Sequence, residues 1–500
     1  MEPFYVLLFL LVSVATLALH IREPLRAWRQ SRKREADAST ADKSAAPGAP
    51  RRPTTATLSP SPPRPSGESN ALDKSSEFFS FQRNYLLVFL AAVTADWLQG
   101  PMVYALYDAY GFGKRDIALL FITGFGSSMV FGTYAGSLAD QLGRKTMAMA
   151  YGVTYALSCA TKHSRNFYVL LLGRALAGVA TSLLFSVFEA WYVYEHTQRG
   201  YPLLTVGDTF SKATFGNGVS AILSGQVAGA VAARFGYVAP FDVAILCLLL
   251  GTATVYRTWN ENYGNAQQSV LGGMRQALAY VHSDTRILWL GVVQSCFEAA
   301  MYAFVFMWTP MLQALHPPGA GTIPHGMIFS TFMMAFMFGS LAFKAALQTP
   351  ALRSSGGAEH TGVSATRIAM ERTFGQMLAA SAFCLAVAAL GGQLHRHLAY
   401  AAMVLFEVTC GFYFPAIASL RSRVIPEECR SALMNFFRLP MNLLVVLTLL
   451  YVDRLQNRTV FGWCTALVTG AAVAWCRFLR LQATMSGGEA RPSARAEVAP

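Results

Sequence analysis

Four acids and three bases stand out inside long apolar runs of this chain: Asp96, Glu189, Glu298 and Glu407, and Arg174, Lys212 and Arg438. An ionised side chain at the centre of an apolar helix costs on the order of 2.5–3.5 kcal/mol, so each needs a partner, a wet cavity or a task. Two kinds of chemistry suit such residues. A buried carboxylate takes up and releases a proton. A buried guanidinium stays charged and offers five N–H donors in a planar fork, which matches a desolvated oxyanion. Asp96, Glu298, Glu407, Arg174 and Arg438 lie deep in their runs and are the candidate substrate or proton residues, with Gln99 and Asn435 as neutral hydrogen-bonding partners. Glu189 and Lys212 lie nearer the run ends and are candidate gate residues. Structural ion pairing or helix packing is the plain alternative for each. No nucleotide loop, HExxH helix or catalytic triad is present, so no catalytic residue, metal site or cofactor is expected. The eight cysteines are scattered singly and read as small core residues.

The elements that must position these groups are membrane-spanning helices. The chain has 500 residues, 54% of them hydrophobic and 13% charged, with a mean hydropathy of +0.37. A soluble domain carries about 25% charged residues. Apolar runs of about 20 residues call for helices, whereas barrel strands would alternate over about 10. The first run, 4–21, has no basic residue before it and six after it, from Arg22 to Arg34. That order predicts a retained anchor with its N-terminus outside, not a secretory signal. Residues 22–83 hold twelve Lys+Arg, seven Asp+Glu and a Pro/Ser/Thr/Ala-rich middle, the composition of a disordered basic cytosolic linker.

Twelve further runs follow, near 84–107, 115–138, 147–163, 167–195, 208–233, 238–256, 286–313, 322–347, 368–392, 397–420, 427–452 and 459–480. The longer polar stretch 257–285 divides them into two sets of six, 84–256 and 286–480, with 481–500 as a cytosolic tail. Leaving aside the linker and the four basic residues inside runs (Arg174, Lys212, Arg372 and Arg438), threading these runs across a bilayer puts sixteen Lys/Arg in the loops assigned to the cytosol and eight in the opposite loops. The positive-inside rule thus accounts for much of the net charge of +13, and no nucleic acid is needed to explain it. Gly136-Ser-Leu-Ala139 recurs as Gly339-Ser-Leu-Ala342, and Asp96 and Glu298 are spaced alike, as a parallel repeat of two halves would place them.

The segment Gly136-Ser-Leu-Ala-Asp140-Gln-Leu-Gly143-Arg144-Lys145 resembles the signature loop between helices two and three of the major facilitator superfamily. Gly136 would allow two helices to approach, Gly143 a tight turn, and Asp140 a contact with the positive end of helix eleven. The resemblance implies that Asp140, Gly136, Gly143 and Arg144 belong to a gate that latches the halves. Gln141 stands where the superfamily usually has a basic residue. Leu170-Leu-Leu-Gly-Arg174-Ala-Leu-Ala-Gly178 resembles the superfamily's fourth-helix pattern, while Ser224-Gly-Gln-Val-Ala-Gly229 lacks the proline of drug antiporters.

A closer resemblance runs through Ala95-Asp-Trp-Leu-Gln99, Phe188-Glu-Ala-Trp-Tyr192, Glu261-Asn-Tyr263, Phe306-Met-Trp-Thr-Pro310, Gly411-Phe-Tyr-Phe-Pro415 and Val424-Ile-Pro-Glu427. Together with the fourth-helix segment these look like the molybdate-anion transporter family. The expected fold is therefore an all-α membrane protein of the major facilitator superfamily fold, two six-helix bundles plus one extra N-terminal transmembrane helix. The resemblance implies a secondary transporter for molybdate or a similar oxyanion, working by alternating access in the lipid bilayer of the cell or an internal membrane. A proton is the candidate coupled ion. The alternatives are a carrier of another anion or an organic solute, and a membrane sensor or scaffold that transports nothing.

Overall fold

Backbone polar groups in lipid must be bonded within their own segment, and the apolar runs accordingly all fold as helices. The computed structural model describes residues 3–21, 66–202, 204–264, 270–317, 319, 321–347, 359–426 and 430–489. The first helix, α1, is Pro3–Ile21. It is followed by α2 (Ser66–Gln99), α3 (Val103–Ala109), α4 (Lys114–Leu142), α5 (Arg144–Ala160), α6 (Phe167–Leu184), α7 (Val187–Gln198), α8 (Leu204–Phe235) and α9 (Ala239–Thr258). A connecting helix, α10 (Val270–Ser283), leads to α11 (Thr285–Leu315), α12 (His325–Leu347), α13 (Glu359–Leu394), α14 (Arg396–Val424), α15 (Arg430–Leu450) and α16 (Asn457–Glu489). Among the described residues, eleven segments are long and apolar enough to cross a membrane. Helix α5 and the apolar part of α15, Phe436–Leu450, are shorter, and with them every expected run is a helix.

Two of the spans are broken, each for a local reason. Pro101 cannot donate a backbone hydrogen bond, and it separates α2 from α3 in the first core span. In the fourth span, Ser182 and Ser186 turn their hydroxyls back onto the carbonyls of Gly178 (3.0 Å) and Ser182 (2.8 Å), and α6 gives way to α7 at Phe185–Ser186. The structure also carries α2 back to Ser66, well before the expected start. Phe78 and Phe81 pack their rings on Tyr201 (5.1 Å) and Tyr192 (5.0 Å), which ties this extension to α7 and the loop after it. Most of the expected linker, residues 22–65, and the end of the tail lie outside the described residues.

Helices meet where glycines remove side chains. A Cβ on Gly339 of α12 would lie 1.9 Å from the Val408 carbonyl of α14, and one on Gly411 would lie 1.8 Å from the Phe336 carbonyl, so these two helices cross in direct backbone contact. Between the halves, a Cβ on Gly326 of α12 would meet the Gly225 carbonyl of α8 at 2.2 Å. Gly136 has nothing within 4 Å of a built Cβ, so the close approach expected there is made instead by its repeat counterpart Gly339.

The turn between α4 and α5 marks one face of the molecule, here the loop face. The interactions that join the halves gather toward the opposite face. Gln313 donates to Asp108 (3.1 Å), Lys114 to Asn457, and Tyr104 and Phe121 set their rings edge-on to Phe306 (5.3 and 5.2 Å). Helix α1 lies across the seam between the halves. Its start packs Phe4 on His397 and Tyr5 on Tyr400 of α14, Thr16 donates to the Met334 carbonyl of α12, and His20 stacks on Phe215 of α8. Its other side, with Leu7, Leu10, Leu11, Val14 and Leu17, is exposed, as a lipid-facing helix surface would be.

Candidate functional site

In the first half, Asp96 of α2 accepts a hydrogen bond from the Tyr155 hydroxyl of α5. Arg174 of α6 is drawn onto α4. Its Nε donates to the Leu120 carbonyl (3.3 Å), its guanidinium lies 4.8 Å from the centre of the Phe121 ring, and Gly124 leaves room for it. Its charge reaches Asp96. Gln99 is buried and turns its amide back to the Ala95 carbonyl of its own helix (3.1 Å). Trp97 next to it donates to Asn217 of α8 (2.8 Å).

In the second half, Glu298 of α11 accepts from the Tyr413 hydroxyl of α14 (3.1 Å), and the charges of Arg421 and Arg438 both reach its carboxylate. Arg421 also donates to the buried Gln294 (3.3 Å). Arg438 is exposed, and its guanidinium makes no hydrogen bond among the described residues. Glu407 is only 6% exposed and has neither a hydrogen bond nor an ion pair among the described residues. The side chain of Asn435 lies outside the described residues.

Rings from the two halves meet near the two arginines. Phe121 and Phe125 come from α4, Tyr302 and Phe306 from α11, and Phe125 meets Tyr302 at 5.3 Å. Arg174 lies against Phe121, while Arg438 is within electrostatic reach of Tyr302. The arginines thus belong to separate halves, and a chain of ring contacts links their surroundings.

The gate residues divide likewise. Asp140 is bound by Arg144 four residues on (2.7 Å), and Arg144 also donates to the Ala190 carbonyl (3.2 Å). The expected contact of Asp140 with the start of helix eleven falls on residues 427–429, outside the described residues. Gly143 has φ +100°, a backbone conformation that side chains disfavour. Glu189 is exposed in a loop-face cavity of about 590 Å³ lined also by Arg144, Ser186 and Tyr194. Lys212 is paired with Asp208 (2.8 Å) and donates to Gln82 (3.0 Å), a network that fixes α8 to α2.

One contact of the signature loop was invisible as such in the sequence. Glu261, after α9, sets its carboxylate on the N-terminus of α5, accepting from the amides of Lys145 (2.7 Å) and Thr146 (3.0 Å) and from the Thr146 hydroxyl (2.6 Å). Beside it Asn262 accepts from the Arg144 amide (2.9 Å) and donates to Glu195 (3.3 Å), and Trp259 stacks on Trp191 at 3.7 Å. The segment that leaves the first half is thus fastened to the signature loop. Arg421, Tyr155, Tyr413, Asn217 and Glu261 all join the site without being singled out for it by residue type or spacing.

Residues 65–359 match a family described as sugar transporters with 12 transmembrane helices. The chain is 35% identical over 434 residues to the molybdate-anion transporter of Takifugu rubripes, an alignment that covers 79% of this chain and 87% of that protein. It is 37% identical over 411 residues to the molybdate-anion transporter of Xenopus laevis, covering 80% and 86%. The chain belongs to the molybdate-anion transporter family. Its helices superpose on the POT family transporter PepTSo with a TM-score of 0.64 at 11% identity, covering 81% of this chain and 98% of that one, a likeness of fold alone. A member of this family is a multi-pass membrane transporter rather than an enzyme. In this family member, each half holds a partly buried carboxylate that accepts from a tyrosine, and the second half sets two arginines around one acid. That second cluster has one more positive than negative charge and so suits an anion.

Proposed function

We propose that this chain carries molybdate, a tetrahedral dianion, across a membrane by alternating access, with a proton as the coupled ion. The observation that carries this reading is Arg438, an exposed guanidinium with no hydrogen bond among the described residues, set beside Arg421 and Glu298. A dianion leaving water needs charged donors to replace its hydration, and this fork is available. The names of the curated relatives supply the substrate class. The halves meet through rings and hydrogen bonds on the face opposite the signature loop. This arrangement supports a carrier open toward one side, and the positive-inside bias makes that side the cytosol.

Arg174 and Arg438 hold the anion in succession, one in each half. Asp140, Arg144 and Glu189 gate the loop face, and Glu298 and Glu407 are the residues proposed to exchange the proton. The test is uptake of labelled molybdate into proteoliposomes. Arg438→Ala abolishes uptake while the protein still inserts, and Arg438→Lys, which keeps charge without the fork, leaves weakened uptake. Wild-type uptake by a well-inserted Arg438→Ala protein would strike this residue from the site.

A further inference from the structure

On the face opposite the signature loop, the turn Thr161–His163 ends α5 and buries a lysine. Lys162 is 1% exposed, and its Nζ has no hydrogen-bond partner among the described residues. The turn is held in place from three sides. Ser158 donates to the Gly173 carbonyl (2.6 Å), Gly173 lets Thr161 sit where a side chain would otherwise be, and the Tyr110 hydroxyl donates to the Lys162 carbonyl (2.5 Å). These contacts fix the turn against α6 one residue before Arg174.

The surroundings are rich in donors. Lys162 Nζ lies 5.6 Å from the centre of the Tyr107 ring, and the Tyr107 hydroxyl is itself buried without a partner among the described residues. The charge of Arg174 reaches both side chains, and among the described residues its guanidinium gives only its Nε to an acceptor. The other ionisable groups facing the turn are Cys159 on α5, Asp96 on α2 through Cys159 and Arg174, Tyr110 on the α3 side, and the half-exposed His163–Asp242 pair toward α9. Arg165 lies over the outer side of Tyr110. Asp96, the partly buried carboxylate among them, already accepts from Tyr155.

We infer that Lys162, Tyr107 and Arg174 form a second oxyanion subsite, in the half opposite Arg438. An ammonium, a phenol hydroxyl and a guanidinium together offer many N–H and O–H donors and few acceptors, so the ligand that completes them is an acceptor-only anion. A tetrahedral oxyanion dianion has that chemistry. The subsite lies where an anion would dwell before passing the Phe121–Phe306 contact, and it deepens the proposed transport reading, on which it rests.

A proton follows the anion. Burial, with the neighbouring charge of Arg174, pulls the Lys162 ammonium down to about 7. With the subsite empty, the lysine is neutral above that value; a dianion restores the charge by binding, and so draws in a proton.

The test uses the full-length protein purified in detergent, with sodium molybdate affinity read from thermal stabilisation between about pH 6.5 and about pH 9, on either side of the lysine's range. Wild-type affinity falls as pH rises, approaching tenfold per pH unit above about 7 for one linked proton. Lys162→Met removes this dependence and weakens binding. Lys162→Arg, charged throughout, keeps binding and loses the dependence, and it serves if the Met variant does not fold. Wild-type affinity and pH dependence in both variants would overturn the subsite. Sulfate is the second probe. If it alone stabilises the protein, and does so in the Lys162-dependent manner, the subsite stands and the molybdate reading falls. If neither ion stabilises the wild type at any pH, both fall.

Discussion

Replacing Glu261 tests the gate through its local energetics. The carboxylate accepts three hydrogen bonds at the N-terminus of α5, two from backbone amides and one from Thr146. An N-cap removed to alanine costs about 0.5–2 kcal/mol, and an anion at a helix N-terminus adds about 0.3–1 kcal/mol. The group is part-exposed, which reduces the second contribution, so Glu261→Ala is expected to cost about 2 kcal/mol. A unit of 150–250 residues loses about 2–4 °C per kcal/mol, so the apparent melting temperature in detergent should drop by roughly 4–8 °C at fixed scan rate. Glu261→Gln keeps one acceptor and recovers about half. Glu261→Asp is one methylene short of the amides and falls with alanine. Molybdate uptake by the alanine variant should drop further than the amount of folded protein, because the segment it fastens also holds Arg144 through Asn262. An unchanged melting temperature in Glu261→Ala would refute the capping role, and unchanged specific uptake would refute its link to the gate.

Two further outcomes follow from the packing and the buried lysine. Gly411→Leu has no rotamer that escapes the Phe336 carbonyl and should leave little folded protein by size-exclusion chromatography, whereas Gly136→Ala meets nothing and should express normally. In the absence of anion, Lys162 binds its proton less readily folded than unfolded, so stability rises with pH between its folded value of about 7 and the unfolded value of about 10.4. Lys162→Met should therefore melt above wild type, with a gap that widens as pH falls through that window and levels off below about 7, measured by differential scanning fluorimetry.

The spans were legible because lipid demands long apolar helices, and the runs at 167–195 and 397–420 need no tertiary information to be seen. Their interruptions were harder. Pro101 is a visible breaker, but the break at Phe185–Ser186 depends on serine hydroxyls finding carbonyls one turn back. The ionisable residues were visible by their cost, yet their partners were not. Arg421 sits at the end of its span and counts in sequence as a loop charge, although it reaches Gln294 inside the second half. Lys162 reads as a loop charge for the same reason: the polar stretch Thr161-Lys-His-Ser164 hides the fact that α3 folds over it and brings Tyr107 onto its side chain. The contact of Phe121 with Phe306 across the halves was not legible either, because the two rings come from helices far apart in sequence.

The central claim is transport of an oxyanion, and uptake of labelled molybdate into proteoliposomes holding the purified full-length chain tests it most directly. With sulfate and phosphate as competitors and an imposed proton gradient, the account predicts saturable molybdate uptake that the gradient accelerates and that Arg438→Ala abolishes. Liposomes with correctly inserted protein that accumulate no more molybdate than empty ones, with or without the gradient, would contradict it.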